Sequence, residues 1–411
     1  MSDTERNALI PLRSGGLANI GTGPKSILSG MVSDALALAR AREKSLAVAR
    51  FRIGEYEFRA PDYRQILIWT KALGIEPEDF ISRLKEDFGN YQDYLENSRD
   101  SFQDCDGFYH LPLNGFEAGL EVEDGSIVSL VWIFDEVSIS SFEWMDGLRI
   151  KRLWFQGSAL TKISLRLPSL NYFDYSRCHY SGRSCCKLTE LDLLAAPALT
   201  NLYCDNNELV KLDLSAVPAL TWLGCDNNQL VKLDLSAVPA LAGLGCDNNQ
   251  FVKLDLSAVP VLTWLGCAHN QLVELDLSNV PALTELDCSN NQLIQLEISN
   301  QELINLNCSS NPLIELKLSS PVLTDINCSN NQLVELDLYK VPALMGLDCR
   351  NNQLVELDLS GVPELRKLDC RNNKLVELDI RWLDQLKILK CDPLVKIKKF
   401  PTQNPRILKN E

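Results

Sequence analysis

Ten of the 14 cysteines fall in one register, and no other feature constrains the chain so tightly. Cys204, Cys225, Cys246, Cys267, Cys288, Cys308, Cys328, Cys349, Cys370 and Cys391 lie 21 residues apart, except for the two intervals of 20 that end at Cys308 and Cys328. Self-similarity at this period specifies a solenoid, in which each turn buries its apolar face only against its neighbours. Length then adds turns and not new cores, so 411 residues do not by themselves mean several globular domains. The surface such a chain offers is long and repeated, which suits binding better than a single reaction centre.

The unit runs L-T-W-L-G-C-D-N-N-Q-L-V-K-L-D-L-S-A-V-P-A from Leu220 to Ala240. Its first part is a short strand with Leu223 and Cys225 inward at period 2, and successive turns stack these strands into a parallel sheet. Asn228, three residues past the cysteine, recurs in every turn from Asn207 to Asn373. The chain bends there with its backbone groups still buried, and an amide bonds both the turn and the next rung. L-D-L is a second extended piece on the opposite side, ended by Ser236 and Pro239. Neighbouring cysteines then stand about 4.8 Å apart at Cα with parallel side chains, where a disulfide wants converging Cβ atoms about 3.8 Å apart. The ladder reads as a buried stack of free, unreactive thiols.

The pattern resembles the leucine-rich-repeat family, and within it the short bacterial subclass called IRREKO, in which L-x-x-L-x-L-x-x-N-x-L is followed by a nested L-x-x-L-D-L. The likeness is strong over residues 188–391. Weaker turns extend upstream, with Tyr175, Phe155 and Trp132 in the cysteine position, for 13 turns in all. The resemblance implies an α/β repeat solenoid: a curved leucine-rich-repeat array over 121–394 with a parallel sheet on one face. Residues 395–411, basic and Pro-containing, read as a C-terminal cap.

The remainder reads as a flexible arm over 1–24 and a small α+β domain over 25–120. The latter would comprise an amphipathic helix over 25–48, a hairpin turning at Gly54, a helix from Pro61 and Asp62 to Leu73, another opened by Pro77, and mixed loop and strand over 97–120. The last two helices have some helix-turn-helix character. The second is acidic (Glu76, Glu78, Asp79, Glu86, Asp87), which argues against DNA.

A net charge of −15 opposes indiscriminate binding to nucleic acid or anionic membrane. No apolar run approaches the roughly 20 residues that span a bilayer, and the N-terminus has no charged start followed by an apolar core. The expectation is a cytoplasmic protein with reduced cysteines and no membrane contact; a leaderless secretion route would leave no mark here.

Candidate chemistry is sparse. Cys178, at the asparagine position, precedes an eight-residue insertion that holds His179, Cys185 and Cys186, but C-H-x5-C-C matches no common zinc spacing. Asp205, Asp226 and Asp247 form a line, whereas calcium needs six to eight oxygens around one point. The three histidines, His110, His179 and His269, fall in no nucleophile–base motif, and no Gly-rich phosphate loop is present. No catalytic residue, metal or cofactor is assigned.

Binding is expected on the sheet face, at the outward positions three and one before the cysteine and one after it. Trp222 and Trp264 flank Gly243, and Gly224, Gly245 and Gly266 leave room beside them, so an exposed aromatic pocket is expected there, with Tyr203 alongside. The last column grades from Asp205, Asp226 and Asp247 through serines to Arg350 and Arg371, with Lys367 nearby, so a partner segment would lie along it with fixed polarity. The functional expectation is protein binding through this face, with the N-terminal domain serving dimerisation, recruitment or effector contact. The alternatives are a bacterial effector delivered to a host cell, and an enzymatic or nucleic-acid-binding N-terminal domain. Effectors resembling ubiquitin ligases carry a large catalytic domain beyond the repeats, and only residues 392–411 follow Cys391 here, so the expectation is a non-enzyme.

Overall fold

The computed structural model describes residues 50–73, 75–84, 120–124, 126–132, 148–156, 160–177, 187–403 and 405–409. The expected arm, the helix over 25–48, most of the 97–120 segment and the 178–186 stretch lie outside the described residues.

The chain enters through a hairpin, β1 (Arg50–Ile53) and β2 (Tyr56–Arg59), that turns at Gly54 with φ +57°. Only glycine takes that conformation without cost. The helix α1 (Ala60–Leu73) follows at once, with Pro61 and Asp62 in its first turn and Lys71 in its last, as the helix dipole favours. Its buried Ile66 and Trp69 pack with Ile53, Phe58 and Phe80. Residues 77–84 form another helical stretch.

Next comes an antiparallel pair, β3 (Leu120–Glu123) and β4 (Ser126–Trp132), which opens a 15-stranded sheet. From β4 onward every strand is parallel to the last. The register pairs Leu130 with Leu153, Leu153 with Phe173, and Phe173 with Leu202, which brings Tyr175 into line with the cysteine position; Trp132 pairs with Phe155, where the register to the next strand shifts. Hairpin and helix lie against this first rung. Asp62 Oδ1 accepts the Ile127 backbone N–H at 2.9 Å, Arg59 donates to Ser126 Oγ at 2.9 Å, and Arg50 pairs with Asp124 at 3.1 Å. Burial raises the Asp62 carboxyl above its ordinary value, against the opposing pull of the Ile127 hydrogen bond and Arg59.

Inside the array the ten register cysteines are buried thiols outside any disulfide, between buried leucine columns. The asparagine ladder satisfies the turn, but it reaches back to the preceding rung instead of forward. Asn228 Nδ2 donates to Cys204 O at 3.0 Å, Cys225 O at 3.1 Å and Asp226 O at 3.1 Å, while its Oδ1 accepts the Leu209 N–H at 3.0 Å. One side chain thus closes its own turn and staples the rung before it.

The opposite side is less regular than the L-D-L repeat implies. In most 21-residue turns the aspartate caps its own loop, as where Asp234 Oδ1 accepts the Ser236 N–H at 2.9 Å, and the segment stays unpaired. In the two turns of 20 the aspartate is replaced by Glu297 and Lys317. Side chains one methylene or more longer do not make that tight cap, and Gln295–Ile298 pairs in parallel with Glu315–Leu318. Two further convex pairs, Lys162–Ser164 with Glu190–Asp192 and Glu377–Asp379 with Lys396–Lys398, lie near the ends.

At the C-terminal end Leu394 stands 91% exposed at the asparagine position. Asp392 takes over part of the role, its carboxylate accepting the Asn372 N–H at 3.0 Å and the Asn373 N–H at 3.3 Å. Arg406–Lys409 then adds one more parallel strand beside Ile388–Cys391. Among the described residues no helix is long and apolar enough to cross a membrane.

Candidate functional site

The sheet face presents three outward columns, and the fold decides which of their side chains are available. The column one residue past the cysteine is occupied internally. Asp205 Oδ1 accepts the Asp226 N–H at 2.8 Å, Asp226 Oδ1 the Asp247 N–H at 2.7 Å, and Asp247 Oδ1 the Ala268 N–H at 2.6 Å. These carboxylates satisfy backbone groups one rung ahead. From the next rung the task passes to the residue before the cysteine: Asp287 Oδ1 accepts the Ser289 N–H at 2.9 Å, and Asn307, Asn327, Asp348 and Asp369 repeat the contact. Glycine at that position is thereby explained. A Cβ on Gly224 would lie 2.8 Å from Asp205 Oδ2, so the forward-reaching aspartate requires the glycine beside it.

The aromatic end differs from the open pocket expected there. Trp222 and Trp264 stack on each other, ring centroids 5.2 Å apart and planes within 9°. The Trp222 ring lies over Gly243, where a Cβ would come within 2.2 Å of Cε3, and Trp264 is only 9% exposed. The glycines make space, and the indoles fill it, because two large flat apolar groups lower their hydrated area by stacking. Tyr203 packs tilted against Tyr172, ring centroids 5.6 Å apart and planes at 44°, and burial pushes its phenol up to about 12.

Beyond Trp264 the face opens into a groove of roughly 1000 Å³ that runs to Lys390. Glu285 and Asp325 project beside its middle rungs, and Arg350, Lys367 and Lys390 at its far end. There Asp369 is the hub. Arg371 holds it bidentately, Nε to Oδ1 at 2.8 Å and Nη2 to Oδ2 at 2.6 Å, with Lys390 at 3.6 Å and Arg350 at 4.0 Å. Burial alone would raise the Asp369 carboxyl; its bonds to Arg371 and the nearby Lys390 outweigh this and hold it below the ordinary value. At Asp348 burial wins over the Arg350 N–H bond and the Arg350 charge, and the carboxyl is shifted upward.

The structure therefore gathers Tyr203, Trp222, Trp264 and the three aspartates at one end, and Arg350, Lys367 and Arg371 at the other, with the groove between. Glu285, Asp325 and Lys390 were not singled out from sequence; each occupies an outward register position, which was the available signal. Another residue set went unread. The residue two past the cysteine, from Asn206 to Asn372, has positive φ in nine consecutive rungs, His269 (φ 52°) and Ser310 (φ 58°) replacing asparagine. The Asn-Asn doublets carried that signal, since asparagine tolerates the left-handed region. Among the described residues no group of three or more His, Cys, Asp or Glu side chains is placed to hold a metal ion.

No family model matches the chain, and no curated protein matches its sequence. Solved structures do. The leucine-rich-repeat domain of APL1 is 21% identical over 70% of this chain and 85% of its own, with a TM-score of 0.51. The functional domain of InlJ from Listeria monocytogenes, described as including a cysteine ladder, is 37% identical over 50% of each chain, with a TM-score of 0.47. YopM, an effector protein from Yersinia pestis, is 24% identical over 70% of this chain and 75% of its own, with a TM-score of 0.47. This chain spans half the length of the InlJ domain. The fold is a leucine-rich-repeat solenoid.

Proposed function

We propose that the chain is a non-enzymatic binding protein that takes a protein partner in the groove of its sheet face, between Trp264 and Lys390. The carrying observation is the contrast between columns. Inward positions repeat leucine and cysteine with little change, whereas the outward position three before the cysteine changes at nearly every rung, from Trp264 through Glu285, Asn305, Asp325 and Gly346 to Lys367. Folding needs the first pattern and gives no reason for the second. Carboxylates in the middle and cations at one end favour an extended partner segment of complementary, oriented charge. A solved complex of LRIM1 with APL1C, 22% identical to this chain, supports protein association as a use of the fold. Residues 25–120 would serve recruitment or effector contact.

The test is capture from the cells that make the protein. The wild-type chain should retain a partner that Glu285→Lys/Asp325→Lys loses by about ten-fold or more, while Tyr339→Ser, on an 81% exposed position of the opposite side, retains it. Equal retention by the groove variant would remove the groove from consideration.

A further inference from the structure

Away from the sheet face, the flank just beyond the asparagine turn carries an apolar stripe. Six residues after the cysteine stands a valine or isoleucine in nine consecutive rungs, from Val210 to Val376 with Ile294 in the middle. Their exposure runs from 43% at Val252 to 68% at Val376. β-Branching alone does not account for this, since threonine is β-branched too and polar, and no rung uses it. Eight steps of about 4.8 Å make the stripe roughly 38 Å long. A continuous apolar surface of that extent marks a contact.

The adjoining column, one residue further on, identifies what covers it. Lys211, Lys232 and Lys253 occupy the first three rungs, Gln295 the middle one, and Glu335, Glu356 and Glu377 the last three. Turned end for end, the column is complementary over its outer rungs: Lys211 meets Glu377, Lys232 meets Glu356 and Lys253 meets Glu335, while beside the axis Gln295 meets itself and Glu274 meets Glu315. A two-fold contact between identical surfaces requires that property. A parallel copy would set lysine on lysine and glutamate on glutamate. Among the described residues Lys211, Lys232, Glu335 and Glu356 make no ion pair within the chain; Lys253 is shared with Glu274 at 2.5 Å, Glu377 is held by Lys398 at 2.5 Å, and Glu315 by Lys317 at 3.0 Å, so the Lys232–Glu356 pair carries the contact. The aspartates of the next exposed column are turned back onto their own loops, as Asp234 is onto Ser236.

We propose that a second copy of this chain packs antiparallel along this flank, with the two-fold axis passing beside Ile294 and Gln295. The sheet-face groove stays open in such a dimer, because the stripe lies on the far side of the asparagine turn.

Sedimentation of the full chain at micromolar concentration tests this. The expected mass is twice 46.1 kDa. Ile294→Lys sets like charges on the axis and should give the monomer. Lys232→Glu and Glu356→Lys should each weaken association about ten-fold or more, and the two together in one chain should restore it, since the antiparallel contact pairs these positions. All three positions are exposed, and an unchanged circular dichroism spectrum shows that the fold is kept. A wild-type chain that stays monomeric, a dimer indifferent to Ile294→Lys, or a charge swap no better than its single changes would each overturn the proposal.

Discussion

The carboxylate of Asp226 accepts the backbone N–H of Asp247, one rung further along, at 2.7 Å. That contact turns an apparently free acidic column into part of the frame. Asp226→Ala leaves the Asp247 N–H without its acceptor and should cost about 1–3 kcal/mol; Asp226→Asn keeps an acceptor oxygen and should cost less. Denaturant midpoints compare the two, and equal losses would contradict the capping role.

Asn228 holds four backbone groups from two rungs, so its loss should exceed that of Asp226. Asn228→Ala is expected to cost on the order of 3 kcal/mol. Asn228→Asp is the sharper variant, because an acceptor-only group would then face the carbonyls of Cys204, Cys225 and Asp226. Its folded carboxyl would be raised above the unfolded value. The variant should therefore be most stable below about pH 4 and weaken as pH rises, a profile that unfolding at several pH values would reveal or refute.

His269 sits in the left-handed region that asparagine occupies in seven of the nine equivalent turns. His269→Asn should stabilise the array by roughly 0.5–1 kcal/mol, and it allows the amide-to-amide contact seen from Asn351 to Asn330 at 2.6 Å. A lowered midpoint would mean that the His269 contact with Asn290, at 3.2 Å, outweighs backbone preference.

Gly243→Ala places a methyl where the Trp222 ring lies, 2.2 Å from two ring carbons. The indole must leave its stack on Trp264, at an expected cost of about 1–3 kcal/mol. Tryptophan fluorescence should shift toward that of exposed indole, while an unshifted spectrum would show that the backbone yields instead.

Burial pushes the ladder thiols upward, Cys328 to about 12 and Cys225 well above the ordinary value. The folded state thus loses these protons at higher pH than the unfolded state does. Stability from this source is complete below about pH 8.5 and falls as pH rises toward the folded values. The convex aspartates act in the opposite sense. Hydrogen bonds from Ser236 and Ser257 hold Asp234 and Asp255 below their ordinary value, so their contribution is present above about pH 4 and lost as pH falls. Unfolding midpoints in reductant should be level near neutrality and drop at both extremes; a midpoint that holds to about pH 10 would mean the thiols are not closed off from water.

The solenoid, the parallel stacking, the buried cysteine column and the asparagine turn were legible in the residues alone. Each is a statement about one rung repeated, and period-2 burial with a fixed interval leaves little choice at Leu223, Cys225 or Asn228. Tertiary structure decided which outward side chains remain available. Asp226 reaches Asp247 and Trp222 overlies Gly243, partners 21 residues away in sequence and one strand away in space. A repeat pattern shows that such positions stand in line, but whether neighbours bond, stack or stay apart depends on the particular pair. For that reason the tryptophan pocket closed, and the available surface moved to the groove beyond Trp264.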